Sequence, residues 1–225
     1  MTATAAIGAV SNGRWPDEGA PFAGGNRADS GDGEAQPLGI AVIGLGNFAQ
    51  YVLPRLARSR RVRVTALVSG DDEKSRRLAA EHGVDAGRVL DYAALDRLRD
   101  DPSVGAVYVA VPVGLHAEYA IRALRMGKHV LTEKTMAASV PQAREMIAAA
   151  DAAGRMLMVA YRARHDPFTQ EAIRLARSRE LGDLVSVTTE KGFPIGDAFG
   201  KGRWRLDPPL AGGGSLVDIG IYSVQ

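Results

Sequence analysis

Between residues 38 and 161 short apolar runs alternate with longer amphipathic stretches, and this rhythm predicts the elements. Ile40–Ile43 reads as a strand and Asn47–Ser59 as a helix with Pro54 inside it, a place for a kink. VRVTALVSG (62–70) is a second strand. DDEKSRRLAAEHG (71–83) predicts a helix with acidic residues in its first turn and Gly83 as its stop. Arg88–Leu90 reads as a short strand, and Asp91 as the cap of a helix over YAALDRLR. VGAVYVAVP is almost continuously apolar, as a strand buried on both faces of a parallel sheet must be. LHAEYAIRALRMG is then a helix ended by Gly127, KHVLTEK a fifth strand, VPQAREMIAAADAAG a helix with Pro141 near its start, and RMLMVAY a sixth strand. Six strands and five intervening helices predict an α/β fold built on a doubly wound parallel sheet.

Beyond Tyr161 the rhythm changes. DPFTQEAIRLARSRELG has the spacing of an amphipathic helix, and LVSVTTEKG alternates as a half-buried strand would. A loop, FPIGDAFGKGRWRLDPPLAGGG, leads to a closing helix. One strand cannot make a sheet, so residues 162–225 predict an incomplete second unit: either a partner completes it or, the favoured reading, it is the truncated start of an α+β C-terminal domain. Residues 1–37 are rich in Gly, Ala, Pro, Asp and Ser without a period and read as a flexible arm.

With 46% hydrophobic and 24% charged residues, the chain has the balance of a soluble globular protein. Its net charge of +2 gives no basis for a nucleic-acid partner. Cysteine is absent, which removes disulfides and thiolate metal sites, and no His and carboxylate grouping has metal-ligand spacing. No apolar run approaches the roughly 20 residues of a membrane-spanning helix. The start of the chain lacks the basic region of a secretory signal, so a cytoplasmic location with no membrane partner is expected.

Four stretches carry candidate chemistry. Gly44-x-Gly46-x-x-Ala49 lies between the first strand and first helix, with Asn47 and Phe48 inside it. Gly44 permits a tight turn, Gly46 lets backbone approach a pyrophosphate, Ala49 allows close packing, and the helix start offers free N–H groups. This predicts a dinucleotide-binding Rossmann domain over 38–161. At the end of the second strand stand Ser69 and Gly70, with Lys74, Arg76 and Arg77 just beyond, a setting that suits the 2′-phosphate of NADP. Asp71 and Asp72 follow immediately and would instead hold the ribose hydroxyls of NAD, the less favoured reading. LTEKT places Glu133 and Lys134 at the carboxyl end of the fifth strand, where a lysine can favour a developing alkoxide or simply end a strand in solvent. Asp218 and Tyr222 stand four apart on one helix face behind Gly212–Gly214. They could converge on one ligand, with Tyr222 as a proton relay, or serve as a helix hydrogen-bonder and a core aromatic. His116 near its helix start is equally a helix-terminus hydrogen-bonder or a cofactor contact.

VIGLGNFA, ALVSG…EK, DY, VP…LHAEYAIRA…GKHVLTEK, LMVAYR…DP, WRL and AGGGSLVDIGIY, in this order, resemble the glucose–fructose oxidoreductase / inositol dehydrogenase / MocA family from about Gly39 onward. Tyr222, where many relatives carry His, points to the glucose–fructose branch. The resemblance implies a Rossmann domain followed by an open, mostly antiparallel sheet that mediates homo-oligomers in a full-length form. It implies an NADP-dependent sugar oxidoreductase whose substrate is a small-molecule sugar. Tyr222 would donate and accept the proton, Lys134 would tune it and bind a sugar hydroxyl, and Asp218 would position the sugar. Ser69, Lys74, Tyr92, Glu133, Trp204 and Arg205 become cofactor candidates. The family also includes cofactor-binding repressors without turnover, the alternative reading. Where the family usually has Glu-Lys-Pro, this chain reads Glu133-Lys134-Thr135, and most of the C-terminal sheet is missing, as in a fragment.

Overall fold

The computed structural model describes residues 36–190 and 203–224. The expected arm over 1–37 therefore falls almost wholly outside the described residues, as do 191–202 of the expected strand and loop. In chain order the first part contains β1 (Leu38–Ile43), α1 (Asn47–Ala57), β2 (Val62–Val68), α2 (Asp72–His82), β3 (Val89–Leu90) and β4 (Ala106–Val109). It continues with α3 (His116–Arg125), β5 (His129–Glu133), α4 (Val140–Ala153) and β6 (Leu157–Ala160).

The six strands form one sheet in the order β3-β2-β1-β4-β5-β6, and every neighbouring pair is parallel. Side chains alternate across its two faces. Ile40, Val42, Leu67 and Tyr108 join Ala49 and Leu53 of α1 and Leu78 of α2 on one side. Ala41, Ile43, Val68, Val107 and Val109 join Ala120 and Leu124 of α3 and Met146 of α4 on the other. Burial on both faces is why β1, β2 and β4 read as near-continuous apolar runs. The sheet reverses its strand order at β1, which lies between β2 and β4. A crevice outside the carboxyl ends of strands at such a point is where ligands bind in this architecture.

Two expected elements differ. YAALDRLR forms a 3₁₀ turn, Ala93–Leu98, rather than an α-helix. Asp91 still caps it, accepting from the Ala94 N–H at 2.7 Å. Leu95 and Leu98, three apart, are both buried, and that spacing eclipses in a 3₁₀ winding. LVSVTTE makes no ladder over 184–190. Val185 and Val187 are exposed, because no described strand lies alongside to take the N–H and C=O groups that a strand leaves open.

The later part contains α5 (Pro167–Ser178), capped by Asp166, a 3₁₀ turn at Arg203–Leu206, and α6 (Pro208–Ala211). The expected closing helix begins as a π-helical turn, Leu216–Gly220, and becomes α7 only over Ile221–Val224. This segment docks on the sheet's carboxyl edge. Gly114, in the turn after β4, lies against the Pro209 backbone so closely that any side chain there would collide with it.

Leu53, fully buried, is the side chain that seats α1 on the sheet and so aims its N-terminus. Leu53→Ala is expected to lower stability by about 2–5 kcal/mol in urea unfolding.

Candidate active site

The β1–α1 turn answers to its sequence residue by residue. Gly44 has φ +88°, and a Cβ there would stand 2.7 Å from the Ala110 carbonyl oxygen at the end of β4. Only glycine fits that left-handed conformation and that contact together. Gly46 is the residue before α1 and faces open space, with nothing within 4 Å of where a Cβ would lie. No side chain caps α1 and its first turn carries no acid, so the N–H groups above Gly46, Asn47 and Phe48 remain available to an anion. Phe48 is 39% exposed beside this turn. The geometry suits a pyrophosphate.

At the end of β2, Ser69 is buried and its Oγ accepts from the Asp71 N–H at 3.3 Å. Gly70 lies under Tyr92, whose ring would be 3.5 Å from a Cβ added there. Asp71 caps α2, accepting from the Lys74 N–H at 3.0 Å, and its other oxygen pairs with Lys74 Nζ at 3.4 Å. The cap hydrogen bond, with the Lys74 charge, holds the Asp71 carboxyl below its ordinary value. Asp72 pairs with Arg76 at 2.7 Å. Both acids that might have taken ribose hydroxyls are thus engaged within α2.

Lys134 follows directly from β5, and its ammonium meets the π-helical turn. Its Nζ lies 2.7 Å from Asp218 Oδ1, and it also donates to the Asp218 backbone carbonyl. Thr135 Oγ1 donates to the Val217 carbonyl at 2.6 Å. The Lys134–Thr135 peptide bond is cis. Arg205 Nε reaches the other oxygen of Asp218 at 2.8 Å, with its guanidinium stacked 4.3 Å from the Trp204 ring centroid. Burial pushes the Asp218 carboxyl up, but hydrogen bonds from Lys134 and Arg205, with their charges, outweigh it and hold it below its ordinary value. The Tyr222 ring lies 5.3 Å from Lys134 Nζ and stacks at 5.3 Å on Tyr161. Tyr161 OH donates to the Ile221 carbonyl at 3.3 Å. Lys134 thus meets Asp218 and Tyr222, which lie more than 80 residues further along the chain, at one place.

The glycines that precede this turn are what bring it there. Gly212 and Gly214 have φ +74° and +64°, and a Cβ on Gly212 would stand 3.0 Å from Ala138 Cα. Two left-handed residues reverse the chain against the turn that follows Lys134.

His116 faces inward. It is 1% exposed, with Nδ1 2.7 Å from the Thr135 carbonyl oxygen and Nε2 2.9 Å from that of Val111. Burial pushes its pKa down, against the backbone carbonyls that favour a proton. Of its two readings the geometry gives the hydrogen-bonder. Both ring nitrogens serve backbone, which ties the turn after β5 to the turn after β4, and neither is turned towards a ligand.

Tyr108 of β4 escaped the sequence reading because it sits within an apolar run. Its hydroxyl donates to Glu133 Oε1 at 2.5 Å. Burial and the adjacent Glu133 carboxylate push the Tyr108 pKa far up, while burial also raises that of Glu133. The only signal was a lone hydroxyl one position from the end of a strand otherwise made of Ala and Val. Among the described residues no group of three or more His, Asp or Glu is placed to hold a metal ion. No described helix is long and apolar enough to cross a membrane.

Residues 38–161 match the oxidoreductase family with an NAD-binding Rossmann fold, and residues 169–225 match the GFO/IDH/MocA C-terminal domain. The chain is 36% identical over 188 residues to D-xylose 1-dehydrogenase (NADP(+)) 2 of Haloferax volcanii, covering 84% of this chain and 54% of that protein. It is 35% identical to dTDP-3,4-didehydro-2,6-dideoxy-alpha-D-glucose 3-reductase of Actinomadura kijaniata, covering 85% and 55%. Among solved structures, aldose-aldose oxidoreductase from Caulobacter crescentus complexed with glycerol superposes with a TM-score of 0.79 at 45% identity, over 84% of this chain and 56% of that one. The chain spans about half the length of the curated relatives it matches.

Because the Asp218 carboxyl is held below its ordinary 3.8, its contribution is fully present above that value and is lost as pH falls through the lowered one. The tie between Lys134 and the π-helical turn should therefore hold at neutral pH and loosen only in acid below 3.8. Trp204 emission, with Trp15→Phe removing the other tryptophan, should show an acid transition that Asp218→Asn abolishes.

Proposed function

The chain belongs to the GFO/IDH/MocA oxidoreductase family, and from that premise we propose that it serves an NADP-dependent sugar oxidoreductase of the glucose–fructose oxidoreductase kind. The observation that carries this reading is the convergence of Lys134, Asp218 and Tyr222 at the carboxyl edge of the sheet. A sensor needs a ligand site but no ammonium, carboxylate and phenol in register.

The residues present fit the cofactor. Gly46, Asn47 and Phe48 would hold the pyrophosphate on the open α1 N-terminus, and Gly70 and Tyr92 would flank the adenosine side. Ser69 and Lys74 would take the 2′-phosphate. The name of the Haloferax volcanii relative supports NADP over NAD. When bound, the nicotinamide supplies hydride acceptance or donation at a sugar carbon.

The chain's own residues handle the rest. Oxidising a carbinol removes a hydride from carbon and a proton from its hydroxyl. Tyr222 exchanges that proton, giving it to the carbonyl oxygen in the reducing direction and taking it back in the other. The Lys134 ammonium stabilises negative charge as it develops on the same oxygen. Asp218 fixes Lys134 and accepts from a sugar hydroxyl. The name aldose-aldose oxidoreductase, on the Caulobacter crescentus relative, supports two sugars used in turn, one oxidised and one reduced.

Lys134→Ala and Tyr222→Phe should each lower sugar-dependent NADP⁺ reduction by about 10²–10⁴-fold while NADPH still binds. Wild-type turnover in both would overturn the catalytic reading and leave a cofactor-binding module. Lys74→Ala should raise the KM for NADP⁺ by about tenfold, the loss of one charge-assisted contact, with the KM for NAD⁺ unchanged.

A further inference from the structure

Asp218 is divided between two cations. One oxygen faces Lys134 Nζ at 2.7 Å and the other faces Arg205 Nε at 2.8 Å. Their side chains are 13% exposed for Lys134, 19% for Asp218 and 28% for Arg205, so each contact is partly withdrawn from water. The cations come from separate parts of the chain, Lys134 from the end of β5 and Arg205 from the 3₁₀ turn before α6.

We infer that Arg205 is a positioning residue that holds one oxygen of Asp218 so that the other oxygen sets the Lys134 ammonium. This rests on the role given above to Lys134 and Asp218. A carboxylate with a single ammonium partner is free to turn about its terminal torsion, which is broad and roughly two-fold. Either oxygen then serves, and the ammonium follows. The Arg205 Nε–H held on Oδ2 removes that freedom, because a contact on each oxygen leaves the carboxylate no turn that keeps both. Oδ1 is then the oxygen left for Lys134, and the ammonium has one place to stand.

Charge points the same way. Lys134, Asp218 and Arg205 together carry two positive charges and one negative. Without Arg205 the carboxylate would match the ammonium alone, and less positive charge would remain for a developing sugar oxyanion. The other titratable groups around the cluster are Glu133 on β5, which Tyr108 engages, Tyr222 on α7, Tyr161 after β6, and Arg162, whose charge reaches Glu133. Oδ2 of Asp218 is the oxygen on which Arg205 Nε sits.

The family resemblance offers Arg205 a different task, direct contact with the cofactor, and the two separate experimentally. In the full chain, with Asp-selective ¹³C labelling and Asp218→Asn identifying the signal, the Asp218 titration midpoint is followed in wild type, Arg205→Gln and Arg205→Lys. NADPH affinity is measured in the same three proteins by fluorescence. The midpoint should move upward in Arg205→Gln and return towards wild type in Arg205→Lys, with NADPH affinity changed by less than about twofold. An unmoved midpoint in Arg205→Gln overturns the inference. So does an NADPH affinity weakened about tenfold or more in both variants, the loss of a charged hydrogen bond to the cofactor itself. The titration needs no turnover, so it stands or falls separately from the sugar-oxidation assay of Lys134 and Tyr222.

Discussion

A lysine carried on the end of a strand in a parallel sheet, and largely covered by chain, must be matched by a carboxylate. Withdrawing an ammonium from water costs several kcal/mol unless an opposite charge and hydrogen bonds replace the solvent. Lys134 is in that position, and its match is Asp218, 84 residues later. The pairing does two things together. It places a cation at the carboxyl edge of the sheet, and it fastens the π-helical turn there. The Thr135 to Val217 hydrogen bond and the close approach of Gly114 to Pro209 reinforce that fastening. Tyr222 reaches Lys134 only because the turn that carries it is held in this way.

The cofactor side of the site was legible because it follows from rules of short range. Gly44 and Gly46 act within one turn, and Gly83, the residue next after α2, ends it. The strands were legible for a related reason: burial on both faces leaves a continuous apolar run that nothing else in a soluble protein resembles. LVSVTTE shows the limit of the same reasoning. Its alternation is as clear as that of a real strand, yet a strand is a property of a pair, and no described neighbour completes it. Residues 93–98 mark a milder limit, since Leu95 and Leu98 at a spacing of three fit an α and a 3₁₀ winding equally well until the rest of the core is in place.

The substrate side was legible as residue types but not as geometry. Lys134, Asp218 and Tyr222 were candidates, and packing was the competing explanation for the last two. What the sequence does not carry is the path between them. Gly212 and Gly214 supply left-handed backbone, but the direction in which they turn the chain depends on Ala138 lying against Gly212. The Arg205 contact was invisible for the same reason. Its partner is fixed by a π-helical turn that no periodicity announced, and the family resemblance pointed it at the cofactor.

The two carboxylates nearest Lys134 are treated differently, and the difference bears on chemistry. Glu133 is adjacent in sequence and might have taken the ammonium for itself, which would leave a neutral pair with no charge to offer a substrate. Instead Tyr108, a neutral donor buried in β4, engages Glu133, and burial raises its pKa and so weakens its hold as an anion. Asp218 meets the opposite conditions. Two cations hold it ionised, and it divides its oxygens between them. Lys134 thus shares one carboxylate with Arg205, while Tyr108 holds the one adjacent to it in sequence. On the proposed reading, Tyr108 by holding Glu133 and Arg205 by holding Asp218, neither of which needs to touch a sugar, would set how much of the Lys134 charge reaches the reacting oxygen.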